Sequence, residues 1–233
     1  MKPEFLPYSS KLNLFNELNQ SDWDHLHLKV FAPKQVIIEE GSFSHMNLYL
    51  ILSGVCVAIK KRHEDDSYFA PYKICAGEFT GLRELLGDTP SKRPITILAK
   101  TEVTALEIQG EAFLSWRIKY GTTYNAIIQA VLCQQFSSRR LMVNCILKDS
   151  LSAGAYYFCI LYKIYHDSCY PPNYAKDVKI WDTRSEIAVA IGRNIRSVDR
   201  IINIFQNRDY LSVQRGKIYM NQEQYNKMQD FLN

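Results

Sequence analysis

The chain has 233 residues, enough for one large domain or two small ones that each bury a core. Hydrophobic residues make up 47% and charged residues 22% of the sequence, which excludes an intrinsically disordered protein. The net charge of +4 excludes a strongly acidic or basic chain overall. However, residues 183–217 hold seven basic and three acidic residues, so the basic excess is local and favours a polyanionic partner there.

The apolar runs and the cysteines predict a cytoplasmic protein without a membrane span. The longest apolar runs, residues 48–59 and 155–165, fall short of the roughly 20 residues that cross a bilayer, and the N-terminus has no signal-peptide pattern. The six cysteines show no zinc-site spacing, so we expect reduced side chains that pack as small hydrophobes, and no metal site. The alternative is haem ligation by one of the histidines His25, His27, His45 and His63.

The first 110 residues change from a helical to a strand pattern. The run KLNLFNEL, residues 11–18, predicts a short helix, and Ser21 is the predicted N-cap of the next one. From Phe31 onward, short alternating runs are separated by glycines. Regularly spaced strands of this kind predict a small antiparallel sandwich or barrel at about residues 28–110.

A long helix is predicted after Gly121. Residues 122–148 contain neither proline nor glycine, and their apolar residues recur at helical spacing. A helix of this length between two compact regions favours packing against a second copy of itself, and a core helix within one chain is the alternative. A buried helix follows at residues 155–167, and then a loop at residues 168–181.

Residues 183–200, TRSEIAVAIGRNIRSVDR, predict two helices joined by a tight turn. Thr183 and Glu186 form a T-x-x-E capping box, so the first helix is predicted to begin directly after Thr183. Gly192 is predicted to end it in a left-handed conformation, and Asn194 to cap the second helix. This arrangement predicts a helix-turn-helix. The predicted inner faces consist of Ile187, Ala188, Ile191, Val198, Ile201, Ile202 and Phe205.

The outer face of the second helix carries arginines that suit DNA. A guanidinium group can bond guanine bidentately in the major groove, and a plain helical hairpin with solvated arginines is the alternative. The segment DYLSVQRGKIYM predicts a β-hairpin that turns at Arg215 and Gly216, followed by Lys217. A basic hairpin in this position favours a wing beside DNA.

Residues 183–220 resemble, without a gap, the C-terminal DNA-binding module of the Crp/Fnr family of bacterial transcription regulators. Residues 31–59 resemble the start of that family's cyclic-nucleotide-binding-type β-roll, and the runs AGEFTG and AKTEVTALEI resemble its later strands. The resemblance implies an α+β fold in three parts. These are an antiparallel β-roll (jelly-roll) sensor domain at 1–120, a long dimerisation helix and hinge at 121–149, and a winged helix-turn-helix domain at 150–233.

The resemblance implies a homodimer that binds a two-fold symmetric site in double-stranded DNA, with RNA polymerase as a further partner of an activator. It implies that Arg196 and Arg200 face bases. Because Ile195 and Arg196 stand where the best-known members have Arg and Glu, a different half-site is expected. The implied phosphate contacts are Thr183, Arg184, Asn194 and Ser197, and the complete predicted DNA-binding set adds Arg193, Arg215 and Lys217 to the residues already named.

The resemblance also points to an effector pocket with altered motifs. Members that bind cyclic nucleotides hold the ribose with Gly-Glu-Leu and the phosphate with Arg-Ser/Thr-Ala. This chain has Gly81-Leu82-Arg83 and Arg93-Pro94-Ile95, which lack the carboxylate, the hydroxyl and one backbone N–H. We therefore expect an unknown small-molecule effector other than cyclic AMP, or a chiefly structural shell. The predicted pocket residues are Gly81, Leu82, Arg93, Ser138 and Arg139.

Two other functions are weighed against a transcription regulator. One is a ligand-binding regulatory protein whose C-terminal module binds a protein instead of DNA. The other is an enzyme, which is not expected because the sequence lacks a P-loop, a Rossmann glycine fingerprint, H-E-x-x-H and G-x-S-x-G.

Overall fold

The computed structural model describes residues 3–42, 46–61, 68–86, 92–168 and 177–233, which form two compact units, Met1–Gln135 and Phe136–Asn233. The predicted domain boundaries at residues 120 and 149 stay predictions. The elements that begin in the first unit are three short 3-10 helices (Pro3–Lys11, Asn13–Phe15, Arg83–Leu85), α1 (Gln20–Trp23), α2 (Gly110–Lys119), α3 (Gly121–Leu147) and eight strands: β1 (Leu26–Phe31), β2 (Val36–Ile38), β3 (Leu48–Ser53), β4 (Cys56–Lys61), β5 (Tyr68–Ile74), β6 (Phe79–Thr80), β7 (Thr96–Ala99) and β8 (Val103–Ile108).

The eight strands form two antiparallel four-stranded sheets, ordered β1-β8-β3-β6 and β2-β7-β4-β5. Strand β3 is buried on both faces, because its residues alternate between two cores. Leu48, Leu50 and Leu52 belong to one core with the N-terminal helices, whereas Tyr49 and Ile51 belong to the core with the second sheet. The predicted antiparallel β structure is therefore confirmed.

The N-terminal helices cover the core that contains Leu48, Leu50 and Leu52, which we call the outer core. Phe15 and Trp116 are both buried and meet edge to face, with their ring centroids 6.1 Å apart. The run at residues 11–18 forms 3-10 turns, and the predicted N-cap at Ser21 is wrong by two positions. Asn19 is the cap, because its Oδ1 accepts a hydrogen bond from the Asp22 N–H at 2.9 Å.

The long helix α3 confirms the predicted helix after Gly121. Its first turns pack into the outer core through Ile127, which is fully buried. Large apolar side chains on α3 remain exposed to solvent in the single chain. They are Leu132, Phe136, Val143 and Leu147, with 53%, 67%, 52% and 79% of their surface exposed.

The second unit contains the C-terminal part of α3, four further helices and a small sheet. These elements are α4 (Ser150–Asp167), β9 (Val178–Ile180), α5 (Arg184–Ala190), α6 (Ile195–Asn207), β10 (Ser212–Gln214), β11 (Lys217–Met220) and α7 (Gln222–Leu232). The sheet has the antiparallel order β10-β11-β9. The loop predicted at residues 168–181 is therefore wrong at its end, where residues 178–180 pair with β11.

Some sequence-based expectations fall outside the described residues, namely those on His45, His63 and the prolines of the predicted loop. Among the described helices, none combines the length and apolar character that a membrane span requires.

Candidate nucleic-acid interface and effector site

The turn between α5 and α6 has the predicted geometry. The backbone N–H of Glu186 donates to Thr183 Oγ1 at 3.2 Å, and the Thr183 N–H donates to Glu186 Oε2 at 2.6 Å, which completes the capping box. Gly192 has φ +64, a conformation that glycine adopts at little cost. Asn194 Oδ1 accepts from the Ser197 N–H at 2.8 Å and caps α6. These contacts confirm the predicted helix start at Arg184 and the predicted caps.

Helix α6 separates an apolar face from a polar one. The buried residues are Val198, Ile201, Ile202 and Phe205, as predicted. Arg196, Arg200 and Asn203 are exposed, Ser197 is half-buried, and Ile195 keeps 48% of its surface exposed. A helix of this kind presents one row of side chains to a partner while the other row anchors it.

Helix α4 supports α6 from the apolar side. A Cβ on Gly154 would lie 2.8 Å from Ile201 Cγ2, so the absence of a side chain allows this close approach. Phe158 of α4 meets Phe205 edge to face, with ring centroids 6.0 Å apart. The helix that carries the exposed arginines is therefore closely packed against α4.

A buried polar network, which no sequence pattern predicted, anchors the start of α5. Tyr157 and Tyr165 on α4 donate to the two carboxylate oxygens of Asp182, at 3.1 and 2.5 Å. All three side chains are buried, and burial followed by the Asp182 carboxylate raises the pKa of Tyr165. Asp182 directly precedes the N-cap Thr183, so the network fixes where α5 begins.

The predicted wing is a two-residue hairpin. Gln214 on β10 pairs with Lys217 on β11, and the residues between them, Arg215 and Gly216, have φ +48 and +75. Positive φ at both central residues is typical of a type I′ turn. The side chains of Arg215 and Lys217 are exposed at its tip.

Two arginines of the predicted DNA-binding set are hydrogen-bonded within the unit. Arg193 donates to Ser150 Oγ at 2.9 Å and to the Lys148 carbonyl at 2.9 Å, so it ties the turn of the helix-turn-helix to the junction of α3 and α4. Arg184 Nε lies 2.6 Å from Asp199 Oδ1, and its Nη1 donates to the Gly216 carbonyl at 3.4 Å. The predicted DNA contacts of both residues remain predictions.

In the first unit, Arg93 lies beside Gly81, so the two motifs of the predicted effector pocket are adjacent. Its guanidinium donates to the Gly81 carbonyl at 2.8 Å and to the Asn47 carbonyl at 2.9 Å, and the residue is only 3% exposed. Gly81 has φ +89, and a Cβ there would lie 2.6 Å from the Asn47 oxygen. The arginine therefore cross-links two backbone segments.

The polar groups around Arg93 are connected to one another. Tyr49 donates to Glu107 Oε1 at 2.8 Å, and Asn47 Nδ2 donates to the same oxygen at 3.1 Å. Burial, and next the bond to Glu107, raises the pKa of Tyr49, so its hydroxyl keeps its proton.

The residues present do not fit the ribose of a cyclic nucleotide. Leu82 takes the place of the carboxylate and is buried in the apolar core with Leu85 and Phe79, where it offers no hydrogen bond to a hydroxyl. Pro94 has no N–H, and its carbonyl accepts from Lys60 Nζ at 2.9 Å. The expectation that cyclic AMP is not the effector is consistent with this geometry.

The helix residues of the predicted pocket lie in the second unit. Ser138 is half-buried on α3, and the side chain of Arg139 is outside the described structure. In the first unit, α3 contacts the sheet through Gln134, which no sequence pattern singled out. Its amide donates to the Phe79 carbonyl and accepts from the Phe79 N–H, both at 3.1 Å, so it pairs with the β6 backbone like a neighbouring strand.

Metal ligation finds no support in the described ranges, where His, Cys, Asp and Glu side chains form no group of three that would hold a metal ion. His25 Nδ1 lies 2.9 Å from Gln109 Oε1. The thiols of Cys56, Cys75, Cys133, Cys145 and Cys159 are free, and burial raises the pKa of Cys56 to about 12.

Comparisons with known proteins agree with this architecture. Residues 28–120 match the family model of the cyclic nucleotide-binding domain. The structure is similar to that of Clp, a c-di-GMP-responsive global regulator from Xanthomonas campestris, with TM-score 0.63 and 16% identity over 91% of this chain and 99% of that one. A search among curated proteins finds no match.

Two further solved structures are similar over nearly the whole chain. A CRP/FNR-family transcriptional regulator from Thermus thermophilus has TM-score 0.66 and 16% identity, over 88% of this chain and 98% of that one. A CooA mutant from Carboxydothermus hydrogenoformans has TM-score 0.62 and 14% identity, over 95% and 94%. The chain thus has the mixed helical and antiparallel fold of the CRP/FNR transcriptional regulators, and its residues 28–120 match the model of the cyclic nucleotide-binding domain.

Proposed function

We propose that the chain is a sequence-specific DNA-binding transcription regulator. It acts as a homodimer on a two-fold symmetric operator, and its β-roll responds to a small molecule other than cyclic AMP. The observation that carries the proposal is the exposed face of α6, where Arg196 and Arg200 stand opposite a buried apolar face. A helix about 10–12 Å wide fits the roughly 12 Å major groove of B-DNA.

The surroundings of α6 supply contacts to the DNA backbone. Thr183 and Asn194 cap the two helices, and helix N-termini favour phosphate through their free N–H groups and their dipole. Arg215 and Lys217 extend the basic surface at the tip of the hairpin. Phosphate contacts orient the protein and base contacts specify the sequence, so the two sets have separate roles.

The exposed apolar residues of α3 support the homodimer. Leu132, Phe136, Val143 and Leu147 follow one another at intervals of four, seven and four residues, which keeps them on one side of the helix. Large apolar side chains in such a row are costly in water and are covered when a second copy packs there. We expect sedimentation to give twice the mass of one chain.

The test of DNA reading is the replacement of Arg200 by alanine. The operator is first selected from a random DNA pool, and binding is then measured by fluorescence anisotropy at one fixed salt concentration. Losing a bidentate base contact is expected to cost about 1–3 kcal/mol on the selected site and to relax its base preference. Arg208→Ala is the matched control, because Arg208 is also exposed but packs over the Phe231 ring.

Binding that ignores both DNA sequence and salt concentration would contradict the proposal and favour a protein partner for this module. DNA binding through phosphates weakens steeply as salt rises, since counterions are released from the DNA. If Arg200→Ala and Arg208→Ala lose the same amount of DNA affinity, Arg200 does not read a base. The proposal that the chain binds DNA would still stand.

A further inference from the structure

Asp199 is the single acidic residue of α6, and it lies on the face that carries the arginines. It is three positions after Arg196 and four before Asn203, the spacings at which helix side chains are neighbours. Its side chain is 48% exposed. A carboxylate on this face is repelled by DNA phosphates unless a positive or hydrogen-donating group meets it.

In the free chain that group is Arg184. Arg184 Nε and Asp199 Oδ1 are 2.6 Å apart, and the arginine side chain is 38% exposed. The same guanidinium reaches the Gly216 carbonyl of the wing. Arg184 is the first residue of α5, so its guanidinium links the start of α5 to α6 and to the wing.

We propose that Asp199 is a specificity-determining residue that competes with DNA phosphate for Arg184. The inference rests on the proposed function. On any DNA, a phosphate that binds the Nε donor of Arg184 must displace the Asp199 carboxylate from it. Ion pairs at this exposure are weak enough to be exchanged, but the freed carboxylate then faces the groove with its full charge.

The base beneath Asp199 decides whether that charge is tolerated. In the major groove, cytosine and adenine present amino groups that donate to a carboxylate, whereas guanine and thymine present acceptor oxygens. We therefore expect cytosine or adenine at one position of each half-site. On other DNA the unpaired carboxylate lowers affinity, which widens the difference between the operator and arbitrary sequences.

The test compares Asp199→Asn with Asp209→Asn. Both variants remove one negative charge from an ion pair of the same unit, and Asp209 pairs with Lys227 at 2.8 Å, outside α6. Asp209 has φ +56, which asparagine also tolerates, so the control preserves the backbone. Dissociation constants are measured on the selected operator and on a scrambled duplex, and each variant is also put through selection from the random pool.

Asp199→Asn is expected to bind the scrambled duplex about tenfold tighter than the wild type and to lose the preference at one position per half-site. Asp209→Asn is expected to behave like the wild type. In an Arg184→Ala background the gain from Asp199→Asn should shrink, because the contested cation is gone. Thermal denaturation of each variant verifies that the module remains folded.

Unchanged affinity for scrambled DNA together with an unchanged selected site in Asp199→Asn would overturn the inference. An equal gain in both variants would also overturn it, because the effect would then be one of net charge. The proposed function fails differently: in that case the wild-type protein itself selects no operator.

Discussion

Arg200 on α6 and Arg93 in the β-roll were both predicted from the sequence as ligand-facing cations, and their surroundings differ. Arg200 is exposed on a helix whose other face is buried, whereas Arg93 is 3% exposed and donates to two backbone carbonyls. The surface of the helix-turn-helix thus leaves the charge of Arg200 available to a partner. The β-roll uses its charge to hold its own backbone together.

This difference has a physical origin. A guanidinium on a surface helix keeps its hydration until a phosphate or base replaces the water, so exposure costs nothing. A guanidinium inside a β-roll must be hydrogen-bonded when no ligand is present, because an unsatisfied buried charge is costly. The carbonyls of Gly81 and Asn47 meet that requirement.

The largest expected effect is on the stability of the second unit. Asp182→Ala removes the acceptor of the buried hydroxyls of Tyr157 and Tyr165, and the loss is expected to destabilise the second unit by about 3 kcal/mol. Hydrogen exchange monitored by mass spectrometry should show loss of protection in α4 and α5 and unchanged protection in the β-roll. Asp230→Ala, at an exposed position of α7, is the control. Equal protection in both variants would mean that the network contributes nothing to α5.

A smaller effect is expected in the β-roll. Arg93→Met retains most of the side-chain volume but removes the buried cation and its hydrogen bonds to the Gly81 and Asn47 carbonyls. The loss is expected to lower the free energy of unfolding, measured in urea, by about 2 kcal/mol. Arg117→Met, at an exposed position of α2, should be neutral.

Cyclic AMP added in the same assay tests what Arg93 is for. It should leave the unfolding midpoint of the wild type unchanged, because the Leu82 side chain offers no bond to a ribose hydroxyl. A nucleotide-dependent rise in the wild type that disappears in Arg93→Met would show that the arginine binds phosphate and would remove the contrast with α6.

The sequence predicted the features that depend on neighbouring residues and did not predict the contacts between distant ones. The caps at Thr183 and Asn194 and the buried face of α6 were predicted because capping and helical periodicity depend on residues close together in the chain. The pairing of Gln134 with the Phe79 backbone was not predicted, since it joins residues 55 positions apart. The Asp182 network was not predicted for the same reason, because the sequence of an apolar helix does not show which distant residue accepts the hydrogen bonds of its tyrosines.

The smallest expected effect concerns the wing. It tests whether the wing contacts only phosphates while α6 reads the bases. Lys217 is exposed at the start of β11, beside the type I′ turn. Lys217→Ala should weaken binding to operator and scrambled DNA by the same factor and reduce the slope of log affinity against log salt by about one unit, since one phosphate contact is lost. Titrations of both duplexes at several salt concentrations provide the measurement. A loss confined to the operator would place Lys217 on a base edge, and the wing would then share the reading of the sequence with α6.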